Sequence, residues 1–394
     1  MTVDVLNSEH ANRTRLPSRS SAMSPSALLL APRLSDVAHP RAQRGLAQTM
    51  NATFLDPQSD AEWDRLVLTH SSASFFHSSA WARVLTRTYG HKPFYLRLTS
   101  DGRTAALLPL MEVSSRLTGR RGVCLPFSDF ATPLVFSQGS EGELLRCLGE
   151  IVRERKWRHA EIRGGLDHMA SSPGSITFHG HALDLRGGEE MVFANLHSST
   201  RRAIRKAQSS GFTMRVDDSG SALRDFYNLH ILTRRRHGVP PQPWAFFRSI
   251  QEEILDRQLG FVVSARRADR CLAAAVYFSW GTSALYKFGA SDLRSLHLRP
   301  NHLVMWEAIK LLIADGVSTL HFGRTSPDNP GLRRFKRSWG TMEETISYVR
   351  INGAAKPLTS GDRAAASTVT KKLFRNLPPV LNRLAGSLLY QHLD

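Results

Sequence analysis

From about residue 54 onward the apolar positions fall into short periodic blocks. Ser59, Asp60 and Glu62 precede Trp63, Leu66 and Val67, which predicts a helix whose first turn sets acidic side chains against the positive end of its dipole. A second helix is expected from about Ser79 through Tyr89. Alternation in Phe94-Tyr95-Leu96-Arg97-Leu98 then predicts a strand, Ser100-Asp101-Gly102 a tight turn, and Thr104 to Val113 another strand. Pro109 interrupts that strand and marks an edge or a bulge, because proline has no N–H to give to a sheet.

The second half repeats this plan. Helical spacing over Ala222 to His237 and Trp244 to Leu259 leads into Phe261 to Ala265, a turn, and Cys271 to Trp280. Asp101 to Leu108 aligns loosely with Ala268 to Ala275, each flanked by apolar strands. A duplication is the natural reading: two mixed α/β domains over residues 52–190 and 191–352. The first also holds a helix at Leu144 to Lys156 and strands at Ile162, Ile176 to Phe178 and Leu183 to Leu185.

The ends differ. Residues 1–50 are rich in Ser, Arg, Ala and Pro without a period, which predicts a disordered basic tail. Residues 353–394 read as a linker and a C-terminal amphipathic helix. Leu373, Phe374, Leu377, Val380, Leu381, Leu384, Leu388 and Leu389 lie there beside Lys371, Lys372, Arg375 and Arg383, with a break at Pro378-Pro379. Such a helix either packs on the body or rests on an anionic membrane.

Composition sharpens this picture. Of 394 residues 41% are apolar and 22% charged, which suits a folded chain, and 52 Lys plus Arg against 34 Asp plus Glu leaves +18, which suits polyanionic partners. The three cysteines, Cys124, Cys147 and Cys271, form no CxxC pair, so neither a zinc knuckle nor a disulfide framework is encoded, no metal is expected, and a reducing cytoplasm fits best. No apolar run approaches the roughly 20 residues of a membrane span, and Ser24 to Pro32 lacks the ordered parts of a signal peptide.

Candidate chemistry concentrates between Tyr286 and Gly340. Ala284 to Ala290 reads as a strand, and Pro300-Asn301 opens a helix that stops at Asp315-Gly316. A strand feeding a helix N-terminus presents free N–H groups to an anion, and Arg294, Arg299 and Asn301 add donors; most such turns bind nothing. A further strand ends in Gly323-Arg324-Thr325-Ser326, followed by Arg333, Arg334, Lys336 and Arg337 interleaved with Phe335 and Trp339. Aromatic anchors preorganise cations, so Arg324 and Lys336 are candidates for phosphate. A third basic element carries Arg201, Arg202, Arg205 and Lys206; it is either a solvated face or a site for a phosphate-rich substrate. No helix-turn-helix, RNP or zinc-finger pattern accompanies it.

Taken as an ordered set, Phe75-Phe76-His77-Ser78-Ser79-Ala80-Trp81, Leu108-Pro109-Leu110, Leu125 to Leu134, Phe322-Gly323-Arg324, Gly331-Leu332 and Phe335-Lys336-Arg337-Ser338-Trp339-Gly340 resemble FemAB-type transferases over residues 54 to about 350. The resemblance implies two tandem GNAT-like domains. It also implies transfer of an acyl or aminoacyl group to an amine or hydroxyl of a cell-envelope polysaccharide or peptidoglycan precursor, a small or lipid-linked glycan. It puts Arg324 and Lys336 at phosphate-contacting positions of the donor and Asp129 near the acceptor; from the sequence itself Arg299 and Asn301 join the donor-binding candidates, and Trp81, Arg202 and Arg205 are the candidate substrate contacts.

Asp129 is the candidate general base, or a turn residue bonding its own backbone; Tyr286 is the candidate leaving-group acid, or a packing residue; His77 caps the second helix or acts as a base. The expected donor is acyl-CoA, although the R/Q-x-x-G-x-G/A signature is missing at Arg299-Pro300-Asn301. An aminoacyl-tRNA-dependent peptidoglycan-bridge ligase is the enzymatic alternative, although residues 191–352 hold no coiled-coil arm. A basic nucleic-acid-binding protein without catalysis is the other alternative. The expected place is the cytoplasm, with peripheral membrane contact through the C-terminal helix.

Overall fold

The computed structural model describes residues 50–115, 118–169, 171–172, 175–357 and 368–392. The tail expected over residues 1–50, apart from Met50, and most of the linker after residue 357 lie outside them. The chain runs β1 (Asn51–Leu55), α1 (Trp63–Leu68), α2 (Ser79–Tyr89), β2 (Lys92–Pro93), β3 (Tyr95–Ser100), β4 (Arg103–Leu108), β5 (Met111–Ser115), β6 (Gly119–Val123), β7 (Leu134–Val135), α3 (Ser140–Glu154), β8 (Ala160–Arg163) and β9 (Ile176–Asp184). It continues with α4 (Gly188–Asn195), α5 (Ser198–Gln208), β10 (Thr213–Asp217), α6 (Gly220–Arg236), α7 (Trp244–Ile250), β11 (Gly260–Arg267), β12 (Arg270–Trp280), β13 (Ser283–Ser291), α8 (Pro300–Ala314), β14 (Thr319–His321), α9 (Pro330–Arg337) and β15 (Met342–Ile351). Two helices close the chain, α10 (Thr368–Asn376) and α11 (Pro379–Leu389).

Local chemistry explains the boundaries. Ser78 caps α2 by accepting from the Trp81 N–H, and Gly90 ends it in the left-handed region at φ 68°. Asp101 and Gly102, both at positive φ, make the two-residue hairpin turn between β3 and β4. Pro109 divides the predicted long strand: β4 lies in a four-stranded sheet, β1-β3-β4-β7, and β5 in an eleven-stranded sheet, β10-β11-β12-β13-β14-β9-β15-β8-β6-β5-β2.

Two parallel strand pairs, each joined through a helix, organise the large sheet. β6 and β8 pair over Gly122–Ala160 and Val123–Glu161, with α3 between them in sequence. β13 and β14 pair over Ser283–Thr319, Ala284–Leu320 and Leu285–His321, with α8 between them. β9 lies between β14 and β15, so a boundary at 190/191 divides the sequence but not the sheet. One hydrophobic core joins α2, α3, α6 and α7 to the sheet; the other lies under α8, whose Leu303, Val304, Met305, Trp306, Ala308, Ile309 and Leu312 are all buried.

The gap beyond the first parallel pair is closed by the chain itself. Arg163 donates to the Leu125 and Ser128 carbonyls at 3.3 Å each, and Glu161 pairs with both Arg163 and Arg350. Burial opposes charge on Glu161, but the two guanidinium groups win and hold its carboxyl at about 2. The loop over residues 125–130 is thereby fixed, with Leu125 and Phe127 at positive φ.

Candidate active site

Beyond Leu285 and His321 the second parallel pair separates. β13 continues along β12 to Ser291, whereas the chain after His321 stays with β9: Phe322 N–H donates to the His181 carbonyl at 2.8 Å, and Thr325 N–H to that of His179 at 2.7 Å. On its α8 side the wedge between them is flanked by a cleft of about 260 Å³, built on β12, β13, α8 and α9, whose walls include Tyr277, Tyr286, Gly289, Asn301, Met305 and Phe335. Gly289 is needed here, because a Cβ on it would fall 1.8 Å from the Tyr286 hydroxyl. Burial pushes that hydroxyl up to about 12, so it is protonated at neutral pH and able to donate.

The first turn of α8 stands at the outer end of this cleft. Arg299 adopts φ 64° at the cap and makes no side-chain capping bond, Pro300 follows, and the turn holds no acidic residue. The positive end of a 15-residue dipole is therefore not offset by a side-chain cap or an acidic residue, although the His302 N–H donates to the Arg299 carbonyl at 3.0 Å. Asn301 lines the cleft and donates to Ser291 Oγ at 3.1 Å. Arg299 and His302 instead line an adjoining cavity of about 370 Å³, together with Arg202 and Lys206 from α5. Burial, with Arg299 nearby, holds His302 at about 4, so the cations of this cavity are arginine and lysine.

The charged groups of the wedge form a separate cluster. The bulge between Val276 and Tyr277 skips Lys287 in the ladder. Its Nζ donates to the Phe127 carbonyl at 2.8 Å and to Asp129 Oδ2 at 3.0 Å, over the ring of Phe76. Asp129 thus reaches the second gap from the loop that fills the first. Its carboxylate lies against Gly323, whose φ is +70° and whose missing Cβ would sit 3.3 Å from it. Tyr348 donates to the Asp129 carbonyl at 2.8 Å. Lys336 Nζ, buried, donates to the carbonyls of Gly323 and Arg324 at 2.8 and 3.0 Å. The Arg324 guanidinium rests on Phe178 and Tyr348.

Electrostatics assigns these groups different capacities. Burial raises the Asp129 carboxyl, but Lys287, Arg324 and Lys336 outweigh it and hold it at about 2, which makes it a weak base and a strong ion-pair partner. Burial lowers Lys336 to about 8; Asp129 opposes this, and Lys287 and Arg324 add to it. A neutral Lys336 keeps its two hydrogen bonds through two N–H groups and has a lone pair left to take a proton.

The expected site residues thus divide. Arg202, Arg299 and Asn301 gather at α8; Asp129, Arg324 and Lys336 gather on the wedge; Tyr286 lines the cleft. Trp81, expected to touch substrate, is instead fully buried against Phe76, Phe246 and Phe278, a core position that its place on the inner face of α2 dictates. Arg205 lies over the Phe193 ring in a groove bordered by Glu189, Glu190 and Trp306, apart from both clusters. His77 is buried and uses both ring nitrogens, Nδ1 accepting from the Ser74 N–H and Nε2 bonding the Thr132 carbonyl, so it acts as a cap of the short helical turn before α2. Lys287 and Tyr348 were not singled out by the sequence reading. A lysine inside the otherwise apolar run Ala284 to Ala290 was the available signal for the first.

Residues 194–337 match the acetyltransferase (GNAT) domain family. Among solved structures, a FemX superposes with a TM-score of 0.59 at 15% identity, covering 75% of this chain and 96% of that one. A tandem GNAT protein from the clavulanic acid biosynthesis pathway gives 0.50 at 10% identity, covering 79% of this chain and 100% of that one. No curated protein matches the chain. The fold is the mixed α/β arrangement of GNAT-like proteins, tandem ones included. The chain carries a GNAT acetyltransferase domain within it, and its class is that of an acyltransferase.

Proposed function

We propose that this acyltransferase moves an acyl group from acyl-CoA to an amine or hydroxyl of a cell-envelope polysaccharide or peptidoglycan precursor in the cytoplasm. The observation that carries the reading is the course of the open wedge: a narrow cleft past Tyr286 leads to the uncapped start of α8 and on to Arg299, Arg202 and Lys206. That sequence of surfaces suits a thin thioester-bearing arm ending in phosphates. Lys287 and Arg324, two cations beside one carboxylate even when Lys336 is neutral, favour an acceptor that itself carries negative charge, such as a nucleotide- or lipid-linked glycan. Among the described residues no helix is long and apolar enough to cross a membrane, and none of their His, Cys, Asp and Glu groups could hold a metal ion.

In this mechanism the acceptor nitrogen or oxygen forms a bond to the acyl carbon while neutral Lys336 takes its proton. The carbon–sulfur bond breaks, its electron pair goes to sulfur, and the Tyr286 hydroxyl gives the proton that makes the thiol. Lys287 and Arg324 hold Asp129 and the acceptor side in place. Activity then rises with pH through about 8 as Lys336 loses its proton, and Lys336→Arg flattens that limb; a profile unchanged by the substitution removes Lys336 as the base.

A second donor is favoured by the net charge of +18, which also suits the ester of an aminoacyl-tRNA. Thiol release from a panel of acyl-CoAs, with nucleotide-sugar and lipid-linked acceptors, decides between them. Acceptor-dependent release supports the proposal; consumption of aminoacyl-tRNA with no thiol release overturns it in favour of the ligase.

A further inference from the structure

Helix α11 is amphipathic in an inverted sense. Asn382, Gly386 and Tyr390 are buried against the body, where a Cβ on Gly386 would fall 2.0 Å from the Pro241 carbonyl. Tyr390 packs on Phe127, accepts from Arg234 Nη2 at 2.6 Å and donates to the Pro240 carbonyl at 3.2 Å. Asn382 ties in α10 by donating to the Phe374 carbonyl at 3.2 Å. With that face fixed, Val380, Leu381, Leu384 and Leu388, spaced as one stripe, point to solvent with exposures of 72%, 49%, 56% and 58%. Leu373 on α10 is 57% exposed. A docked helix ordinarily shows its polar side to water; this one shows leucine.

The two helices that carry the stripe also carry cations. Lys372, Arg375 and Arg383 are exposed, and Thr368–Leu389 holds no acidic residue. This charge pattern discriminates between occupants. A second copy of the chain would set the same cations against each other around the contact, at a like-charge cost, whereas an anionic bilayer neutralises them and takes the leucines among its acyl chains.

We infer that α10 and α11 form a foot that seats the protein on the surface of an anionic lipid bilayer. Exposed Leu and Val supply insertion, and Lys372 and Arg375 supply attraction to the headgroups, while Arg383 rests over the Tyr227 ring. The foot also touches the site, since Tyr390 backs Phe127, two residues before Asp129 in the loop that reaches the wedge. Seating therefore brings the acceptor side near the lipid surface. The inference does not depend on the identity of the acyl donor.

The test is co-sedimentation of the full chain with vesicles of phosphatidylcholine alone and of phosphatidylcholine mixed with phosphatidylglycerol, at low and high salt, alongside light scattering without lipid. Binding should require phosphatidylglycerol and weaken with salt. Leu384→Glu with Leu388→Glu should lower the partition coefficient by roughly a hundredfold, about tenfold per leucine withdrawn from the bilayer. Lys372→Glu with Arg375→Glu should lower it by roughly tenfold or more. Both pairs are exposed, so thermal unfolding should stay unchanged and certify the fold. Absence of vesicle binding overturns the inference, as does binding that the leucine pair leaves intact. A dimer in solution that the leucine pair dissolves overturns it in favour of self-association.

Discussion

The two parallel strand pairs of the large sheet start alike and end differently. In the first, the residues after β6 fold back and close the gap beside β8: Arg163 clamps the 125–130 loop, and a Cβ on Gly164 or Gly165 would fall 3.0 to 3.1 Å from Thr132 and Pro133. In the second, β13 beyond Leu285 stays with β12 while the chain after β14 stays with β9, and the gap between them stays open. The helices agree with this division. The first turn of α3 carries Glu141 and Glu143, which satisfy its own dipole, whereas α8 begins with Arg299 and no acid. One repeat has an open gap; the other fills its gap with a loop that delivers Asp129 to its neighbour.

Removing the link between the two gaps has the largest expected effect. Lys287→Met leaves Asp129 without its closest cation, and losing one member of a buried pair costs about 3 to 5 kcal/mol in urea unfolding. The same pair gives an acid limb. The folded carboxyl at about 2 lies below its unfolded value, so its stabilising contribution is present above about pH 4 and is lost as pH falls towards 2. Asp129→Asn should remove that limb.

Filling the open gap comes next. Gly289→Ala drives the Tyr286 ring out of position and should lower kcat/KM by about 100-fold while leaving the melting temperature nearly unchanged; equal falls in both would show the glycine to be structural. Arg299→Glu opposes the α8 dipole and should raise KM for the donor about tenfold with little change in kcat, an effect that salt diminishes. The smallest effect belongs to the closed repeat. Glu141→Gln should change stability by no more than about 1 kcal/mol and leave donor KM alone. A donor effect from α3 equal to that from α8 would break the contrast between the two gaps.

Much of this was legible in the sequence because it is local. The Asp101-Gly102 hairpin, the break at Pro109, the helix opening at Pro300 and the second copy of the helix–hairpin plan all depend on residues a few positions apart. The separation of β13 from β14 is not local, since it depends on the chain after His321 following β9. Lys287 was hidden because its role comes from a bulge, which alternation does not announce, and from a carboxylate 158 residues away. Trp81 misled for the opposite reason: an aromatic in a family-like motif carries the same letter whether it meets substrate or, as here, the core.

The position of β9 has a consequence for how the protein is made. Its two partners, β14 and β15, lie more than a hundred residues downstream, so a nascent chain leaving the ribosome holds a strand with both edges unsatisfied until residues beyond 319 and 342 have been made. The early half cannot finish folding ahead of the late half, and the matched segment over residues 194–337, expressed alone, would lack a central strand of its own sheet.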